Sequence, residues 1–339
     1  MIREAVDLQR KLAADHPDVF NPDLARSLSD LSLCLSHLGH HEHALEVIQE
    51  AVNLQRKLTV DRPGVFNPNL AASLHNLSVS VSNLGHQELA LEVIQEAVDL
   101  QRKLAADRPD VFNPNLARSL SDLSLCLSHL GHHECALEVI QEAVNLQRKL
   151  TVDHPGIFNS NLAASLHNLS LHLSDLGHQE CALEVIQEAV NLRRKLAADC
   201  PDVFNPNLAA SLHNLSLCLS DLGHQEHALG VIQEAVNLQR KIAADRPDVF
   251  NPNLTRSLHN LSVHLSDLGH QDHALEVIQE VVDMQRKLAT DRPGIFNSVF
   301  VSSLGELLQQ LTHLGYSKQA LEVFHEVAII HGQLESAVV

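Results

Sequence analysis

The chain has 339 residues, and its 42 acidic and 24 basic side chains give a formal net charge of −18 with neutral histidine. An acidic surface repels phosphate backbones and anionic lipid, so we expect neither a nucleic-acid partner nor a membrane partner. The N-terminus is a charged helical segment unlike a signal peptide, and no apolar run is long enough to span a bilayer. These features predict a cytoplasmic protein with free thiols.

A phenylalanine recurs every 46 residues along almost the whole chain, without one insertion or deletion. These residues are Phe20, Phe66, Phe112, Phe158, Phe204, Phe250 and Phe296. A constant period in this range is typical of a solenoid, in which each unit packs only on its neighbours. We therefore predict an all-α fold, a right-handed superhelical solenoid of antiparallel helix pairs.

The period divides the chain into three parts. Residues 1–20 match the second half of later units and are predicted to be the C-terminal half of a truncated repeat. Six repeats fill 21–296, starting at residues 21, 67, 113, 159, 205 and 251. Residues 297–339 diverge, with Gln309 and Gln310 in places that hold Leu33 and Cys34 in the first repeat. Polar residues there predict a C-terminal capping repeat.

The first helix of each repeat is predicted to begin at an asparagine. Asn21 suits the N-cap and Pro22 suits the first helical position. Gly39 is expected to end this helix in a left-handed conformation. Apolar residues then recur at steps of three and four, which is typical of an amphipathic helix: Leu24, Leu28, Leu31, Leu35 and Leu38.

The second helix is predicted to run from about His41 to about Asp61. Its apolar residues cover about half of the circumference, so it should contact two neighbouring first helices. We expect residues 61–66 to form a loop, Phe66 to fill the space between successive pairs, and His40 to cap helix carbonyls at the turn.

The spacing of Leu28, Leu31, Leu35, Gly39 and Ala44 resembles the tetratricopeptide repeat. The period is longer than the common form of about 34 residues. The added segment QRKLAADRPDVFNP and the Leu-His-Asn-Leu-Ser run from Leu74 are similar to the kinesin-light-chain-like long-repeat subfamily. The repeat arrays of STAND-type signalling proteins are similar too. The resemblance implies a non-catalytic scaffold for protein–protein interaction, whose first helices line a concave groove.

The resemblance also implies which residues face that groove. Amides suit the backbone of a bound peptide because they donate and accept hydrogen bonds, and an exposed apolar row suits its side chains. The candidate peptide-binding residues are Asn76, Asn168, Asn214, Asn260, His75, His167, His213, His259, Leu125, Leu171, Leu217, Arg26, Arg118 and Arg256. In the alternative interpretation, adjacent first helices cover the leucines and the asparagines only bond to their neighbours.

Catalysis, metal binding and cofactors are not expected. Histidines cluster near the turns, but Gly39 interrupts the first cluster and no Cys-x-x-Cys pair is present. The place of Cys34 holds Ser80 and His172 in other repeats, so a packing role is expected rather than a nucleophile.

A second function also stays open. The chain could be the sensor or self-association module of a larger STAND-type protein, with homo-association through the N-terminal half-repeat.

Overall fold

The computed structural model describes the backbone of residues 2–291 and 293–337, and the side chains of these residues except 153, 248, 291, 293–296 and 331–337. Contacts divide the chain into two compact units, Met1–Gly177 and His178–Val339. Within the described ranges the chain forms fifteen helices and no strand. The predicted all-α fold class, a solenoid of repeated helix pairs, is confirmed.

The first unit contains eight of these helices: α1 (Ile2–Asp15), α2 (Pro17–His37), α3 (His41–Asp61), α4 (Pro63–Asn83), α5 (Gln87–Asp107), α6 (Pro109–His129), α7 (His133–Asp153) and α8 (Pro155–Asp175). The second unit contains the other seven: α9 (Gln179–Asp199), α10 (Pro201–Asp221), α11 (Gln225–Asp245), α12 (Pro247–Asp267), α13 (Gln271–Asp291), α14 (Pro293–His313) and α15 (Ser317–Ala337). Even-numbered helices are the first helices of the repeats, and odd-numbered helices are the second helices.

Each first helix begins four residues before the predicted asparagine. In α2 the first helical residue is Pro17, the N-cap residue is His16, and no side chain caps the helix. Proline suits this position because its fixed φ is helical and its missing N–H would be unpaired there anyway. Asn21 and Pro22 lie inside α2, so their interpretation as N-cap and first helical residue was wrong.

The turn inside each pair depends on a glycine, as predicted. Gly39 adopts a φ of +79°, which residues with a Cβ rarely adopt. Its N–H donates to the Ser36 carbonyl and the N–H of His40 donates to the Leu35 carbonyl. These two bonds form a Schellman motif. His40 thus caps a helix carbonyl at the turn, as predicted, and its main-chain N–H makes the bond.

The core forms where both helix types meet. Leu24, Leu28, Leu31 and Leu35 are buried as predicted, whereas Leu38 is 72% exposed because it follows the last helical residue. Each second helix between two first helices of its own unit packs against both, as α3 does against α2 and α4. The predicted two-sided contact is thus confirmed. Its most deeply buried side chain is an isoleucine in most repeats: Ile48, Ile94, Ile140, Ile186 and Ile232.

The connection between repeats is shorter than predicted. Only Arg62 lies between the end of α3 and the start of α4, so residues 61–66 do not form a loop. Phe66 instead lies in the first turn of α4, where it is buried.

Ion pairs join successive second helices within each unit. The arginine of one helix pairs with the glutamate forty residues later, at 2.6 Å for Arg102 and Glu142. These pairs are partly exposed, so each contributes only about 0–1 kcal/mol. The pairs are Arg10–Glu50, Arg56–Glu96 and Arg102–Glu142 in the first unit, and Arg194–Glu234, Arg240–Glu280 and Arg286–Glu326 in the second.

Candidate functional site

The candidate surface, here called the groove face, is formed by the first-helix positions of Arg26, Asp30, Leu33 and His37 and by their equivalents in later repeats. The apolar row on this face reaches solvent in both units. Leu33 is 41% exposed in the first unit, and Leu217 is 37% exposed in the second. Leu125 and Leu171 are half-buried. Neighbouring helices therefore do not cover this row completely, and an apolar surface remains for a partner.

The amide row beside it is also accessible in part. Asn76 and Asn168 in the first unit are half-buried, as are Asn214 and Asn260 in the second. The Nδ2 atom of Asn260 lies 3.2 Å from Nε2 of His213, on the preceding first helix. This amide therefore also bonds within the protein, as the alternative interpretation expected. One such bond leaves further donor and acceptor capacity on the amide.

Two of the candidate histidines are buried between helices. Nδ1 of His75 lies 2.9 Å from Oγ of Ser119, and Nδ1 of His213 lies 3.0 Å from Oγ of Ser257. In other repeats a serine takes the place of the histidine, as in the 2.7 Å bond of Ser29. These side chains connect successive first helices, so the assignment of His75 and His213 to the accessible groove face was wrong. His167 and His259 are half-buried.

Burial keeps these histidines neutral. It lowers the pKa of His75 to about 3, with a further decrease from the charge of Arg118. It lowers the pKa of His213 to about 4, and Arg256 and His264 act in the same direction. Burial also raises the pKa of Asp122 to about 6. Its Oδ2 atom lies 3.3 Å from Nε2 of His75. The buried histidines therefore add no positive charge to this face at neutral pH.

The two edges of the groove face differ in charge. The candidate arginines are exposed, Arg26 and Arg118 in the first unit and Arg256 in the second. At the opposite edge the first helices of the second unit end at Asp221, Asp267 and His313. Arginine and carboxylate therefore lie on opposite edges in the second unit.

Two adjoining clefts open on the groove face of the second unit. A cleft of 290 Å³ is lined by Arg256, His259, Leu288 and Val299, among others. A cleft of 570 Å³ is lined by His259, Val263, Asp267, Glu306 and Gln310, among others. The clefts share His259 and Ser302. Sequence reasoning identified Arg256 and His259 but missed Glu306 and Gln310. The available signal was that the last repeat differs from the others at both positions.

Two of the six cysteines show features of packing residues, whereas the other four are exposed, including Cys34, for which a packing role was expected. All six are free. Cys126 and Cys218 are buried, and burial raises the pKa of the Cys126 thiol to about 11, with a smaller contribution from Asp122. A thiol with this pKa is protonated at neutral pH and therefore a weak nucleophile.

Neither a metal-binding cluster nor a membrane-spanning helix is found among the described residues. No three His, Cys, Asp or Glu side chains in this part of the chain are grouped so that they could hold a metal ion. None of the described helices combines the length and the apolar character that crossing a membrane requires.

These features define a solenoid of tetratricopeptide-type helix pairs. The tetratricopeptide-repeat family model matches residues 25–58. The family model described as anaphase-promoting complex subunit 5 matches residues 64–109, 113–155, 158–199, 204–246 and 250–292. Because these segments cover more than half of the chain, the chain belongs to that family. No curated protein matches the chain.

Solved structures support the same fold. A Podosopora anserina protein described as a kinesin light chain with nearly identical TPR-like repeats is 23% identical, covering 65% of this chain and 96% of its own, with a TM-score of 0.52. A STAND protein with a tetratricopeptide repeat sensor from Pyrococcus horikoshii is 15% identical over 99% of this chain, with a TM-score of 0.62. This chain spans only 48% of that protein. The quorum sensor NprR from B. thuringiensis is 13% identical, covering 97% of this chain and 82% of its own, with a TM-score of 0.63.

Proposed function

We propose that the chain is a non-catalytic interaction module that binds a peptide or protein segment on its groove face. The observation that carries this proposal is a partly exposed apolar row within each unit, exemplified by Leu33 in the first and Leu217 in the second, beside a row of accessible amides. Apolar surface exposed in a continuous row usually marks an interaction site. Solenoids of this family are generally non-catalytic, which agrees with a binding role.

The two rows fit an extended peptide. Side chains of an extended strand alternate between two directions, so one set can pack on the apolar row. The main chain then lies near the amides, which can donate to its carbonyls and accept from its N–H groups. The acidic net charge of the chain makes nucleic acid and anionic lipid poor partners.

Selection from a displayed library of random peptides tests this proposal. Peptides that bind the full chain are labelled with fluorescein, and their affinity is measured by anisotropy. A variant of the second unit with Asn214→Ala and Asn260→Ala should bind about tenfold more weakly, because up to two hydrogen bonds of about 1 kcal/mol each are lost.

The control replaces the same number of asparagines on second helices of the same unit, with Asn191→Ala and Asn237→Ala. These side chains are exposed away from the groove face, so affinity should not change. Failure to select any peptide, or equal affinity for the groove variant and the wild type, would reject the proposal.

A second candidate function is that of a sensor or self-association module within a larger protein. The similarity to a STAND protein with a repeat sensor extends over almost the whole chain. In addition, Leu8 of α1 is 59% exposed, whereas its equivalents Leu54 and Leu100 are half-buried. Light scattering of the wild type and of Leu8→Gln tests self-association through α1. A monomer at every concentration would exclude it.

A further inference from the structure

The wider cleft of the second unit carries negative charge. Asp267 is exposed at the end of α12, and Glu306 of α14 lines the same cleft with its side chain 17% exposed. The carbonyl ends of both helices add partial negative charge near this edge. The basic side chains that line the cleft are His259 and His313, and Arg256 lines the adjoining cleft instead.

Neighbouring side chains hold Glu306 in place. The Oγ atom of Ser262 donates to its Oε1 atom at 2.7 Å, and Nδ1 of His259 lies 3.1 Å from its Oε2 atom. Asn260 occupies the equivalent position one repeat earlier. The carboxylate is thus fixed on the cleft wall, and the other two first helices of the second unit carry asparagine at this position, Asn214 and Asn260.

A buried acceptor on the same wall has no donor. Gln310 is only 4% exposed, and its Nε2 atom lies 3.4 Å from Oε1 of Glu306. Exchanging the amide atoms would place two oxygens together, so Glu306 fixes the orientation. Oε1 of Gln310 has no hydrogen-bond partner among the described residues. This oxygen is enclosed by the protein, so the cleft wall offers a ligand the carboxylate of Glu306 rather than this acceptor.

The narrower cleft is suited to an apolar group. Leu288 and Val299 line it together with Pro252 and Thr255. It joins the acidic cleft at His259 and Ser302. A ligand that fills both clefts therefore needs an apolar part directly beside a cationic, hydrogen-bond-donating part.

We propose that these clefts accept adjacent residues of a bound peptide, an aliphatic side chain in the narrower one and a lysine or arginine in the wider one. The proposal rests on the proposed function, since it specifies the peptide that the groove face binds. The cation faces the carboxylates of Asp267 and Glu306. An acidic peptide would instead place like charges against this wall.

The test is a selection from the displayed random-peptide library on the wild-type chain and on the double variant Asp267→Asn and Glu306→Gln. Peptides selected on the wild type should be enriched in lysine or arginine beside an aliphatic residue, and the double variant should lose this enrichment. A labelled wild-type-selected peptide should bind the double variant about tenfold more weakly, because charge-assisted bonds are lost. The control Glu276→Gln removes an exposed charge from α13. It should keep both the enrichment in basic residues and the affinity for the labelled peptide.

The outcomes separate the two proposals. Selected peptides without the basic enrichment, or with an enrichment that the double variant retains, would overturn the inference and leave the groove face as a peptide site. No selected peptide at all would overturn the proposed function and the inference together. If the double variant melts at a lower temperature than the wild type, Asp267→Asn alone provides the comparison, since that side chain is exposed.

Discussion

A buried arginine in the second unit gives the sharpest test of the packing between helices. Arg193 of α9 is 6% exposed and donates to the carbonyl of Asn207, at 2.6 Å, and to Oγ of Ser211, both on α10. In the other six second helices that precede a first helix, the equivalent residue is glutamine, as at Gln55 and Gln239. The site therefore accommodates glutamine without repacking. We expect Arg193→Gln to stabilise the protein.

The magnitude follows from the electrostatics. Burial lowers the pKa of Arg193 from 12.5 to about 10. At about 1.36 kcal/mol per pKa unit, keeping the charge buried costs about 3 kcal/mol. The hydrogen bonds to Asn207 and Ser211 return about 1–2 kcal/mol. Both folded and unfolded chains carry the proton at pH 7, so this cost is present there and decreases only above the folded-state pKa. The new glutamine would have a buried Oε1 without a donor, as Gln55 and Gln239 do among the described residues, which costs about 1 kcal/mol or more. The net gain on substitution is thus at most about 1 kcal/mol.

Urea unfolding followed by far-UV circular dichroism measures this gain as a higher midpoint. The adjacent Arg194→Gln is the matched control, because Arg194 is exposed and paired with Glu234. Its loss should change the free energy of unfolding by less than about 1 kcal/mol. If Arg193→Gln lowers the midpoint more than Arg194→Gln does, the desolvation argument is wrong and the hydrogen bonds dominate.

Two further predictions concern single positions in the second unit. Burial lowers the pKa of His213 to about 4, so the stability of its neutral form is complete above the unfolded pKa of about 6.5 and decreases as pH falls towards the folded pKa. We expect the wild type to lose about 2 kcal/mol more than His213→Ser between pH 7 and pH 5 in urea titrations, and equal losses would contradict this. Gly223 has a φ of +80°, whereas Gly230 lies inside α11. In urea titrations Gly223→Ala should lower the free energy of unfolding by about 1–2 kcal/mol, and Gly230→Ala should raise it by about 0.5–1 kcal/mol. Effects of the same sign would refute the backbone argument.

The repeat geometry could be predicted because the same spacing of leucines and glycine recurs in successive repeats. Leu24, Leu28 and Leu31 lie on one helical face, and Gly39 adopts the left-handed turn without strain because it has no Cβ. The starts of the first helices could not be predicted in the same way. Pro17 and Pro22 both suit a first helical position, and Asn21 is the better cap by composition. The actual N-cap residues, such as His16 and Arg62, make no side-chain cap bond, so only the proline that follows them marks the start, and Pro22 gives the same signal five residues later.

The direction of each row of the candidate site could be predicted from the sequence, but the burial of single side chains in it could not. A helical wheel gives the direction of the row that contains Leu33, and the structure leaves that row partly exposed. His75 lies one step further round, where the distance to the next first helix decides its burial. That distance depends on how closely serines such as Ser119 allow the helices to approach, which periodicity does not show. The contacts of Glu306 and Gln310 likewise require two helices to be seen together.

The arginine–glutamate pairs between second helices have a consequence for how such an array can change length. Arg56 reaches Glu96, and Arg102 reaches Glu142. Deleting one whole period of 46 residues, starting between Arg56 and Glu96, would remove Glu96 and bring Glu142 into its place. Gaining a period would likewise supply a new arginine together with a new glutamate. Gene duplications and losses in whole periods therefore conserve these arginine–glutamate pairs. An insertion of any other size between two partners changes their forty-residue spacing and separates the arginine from its glutamate.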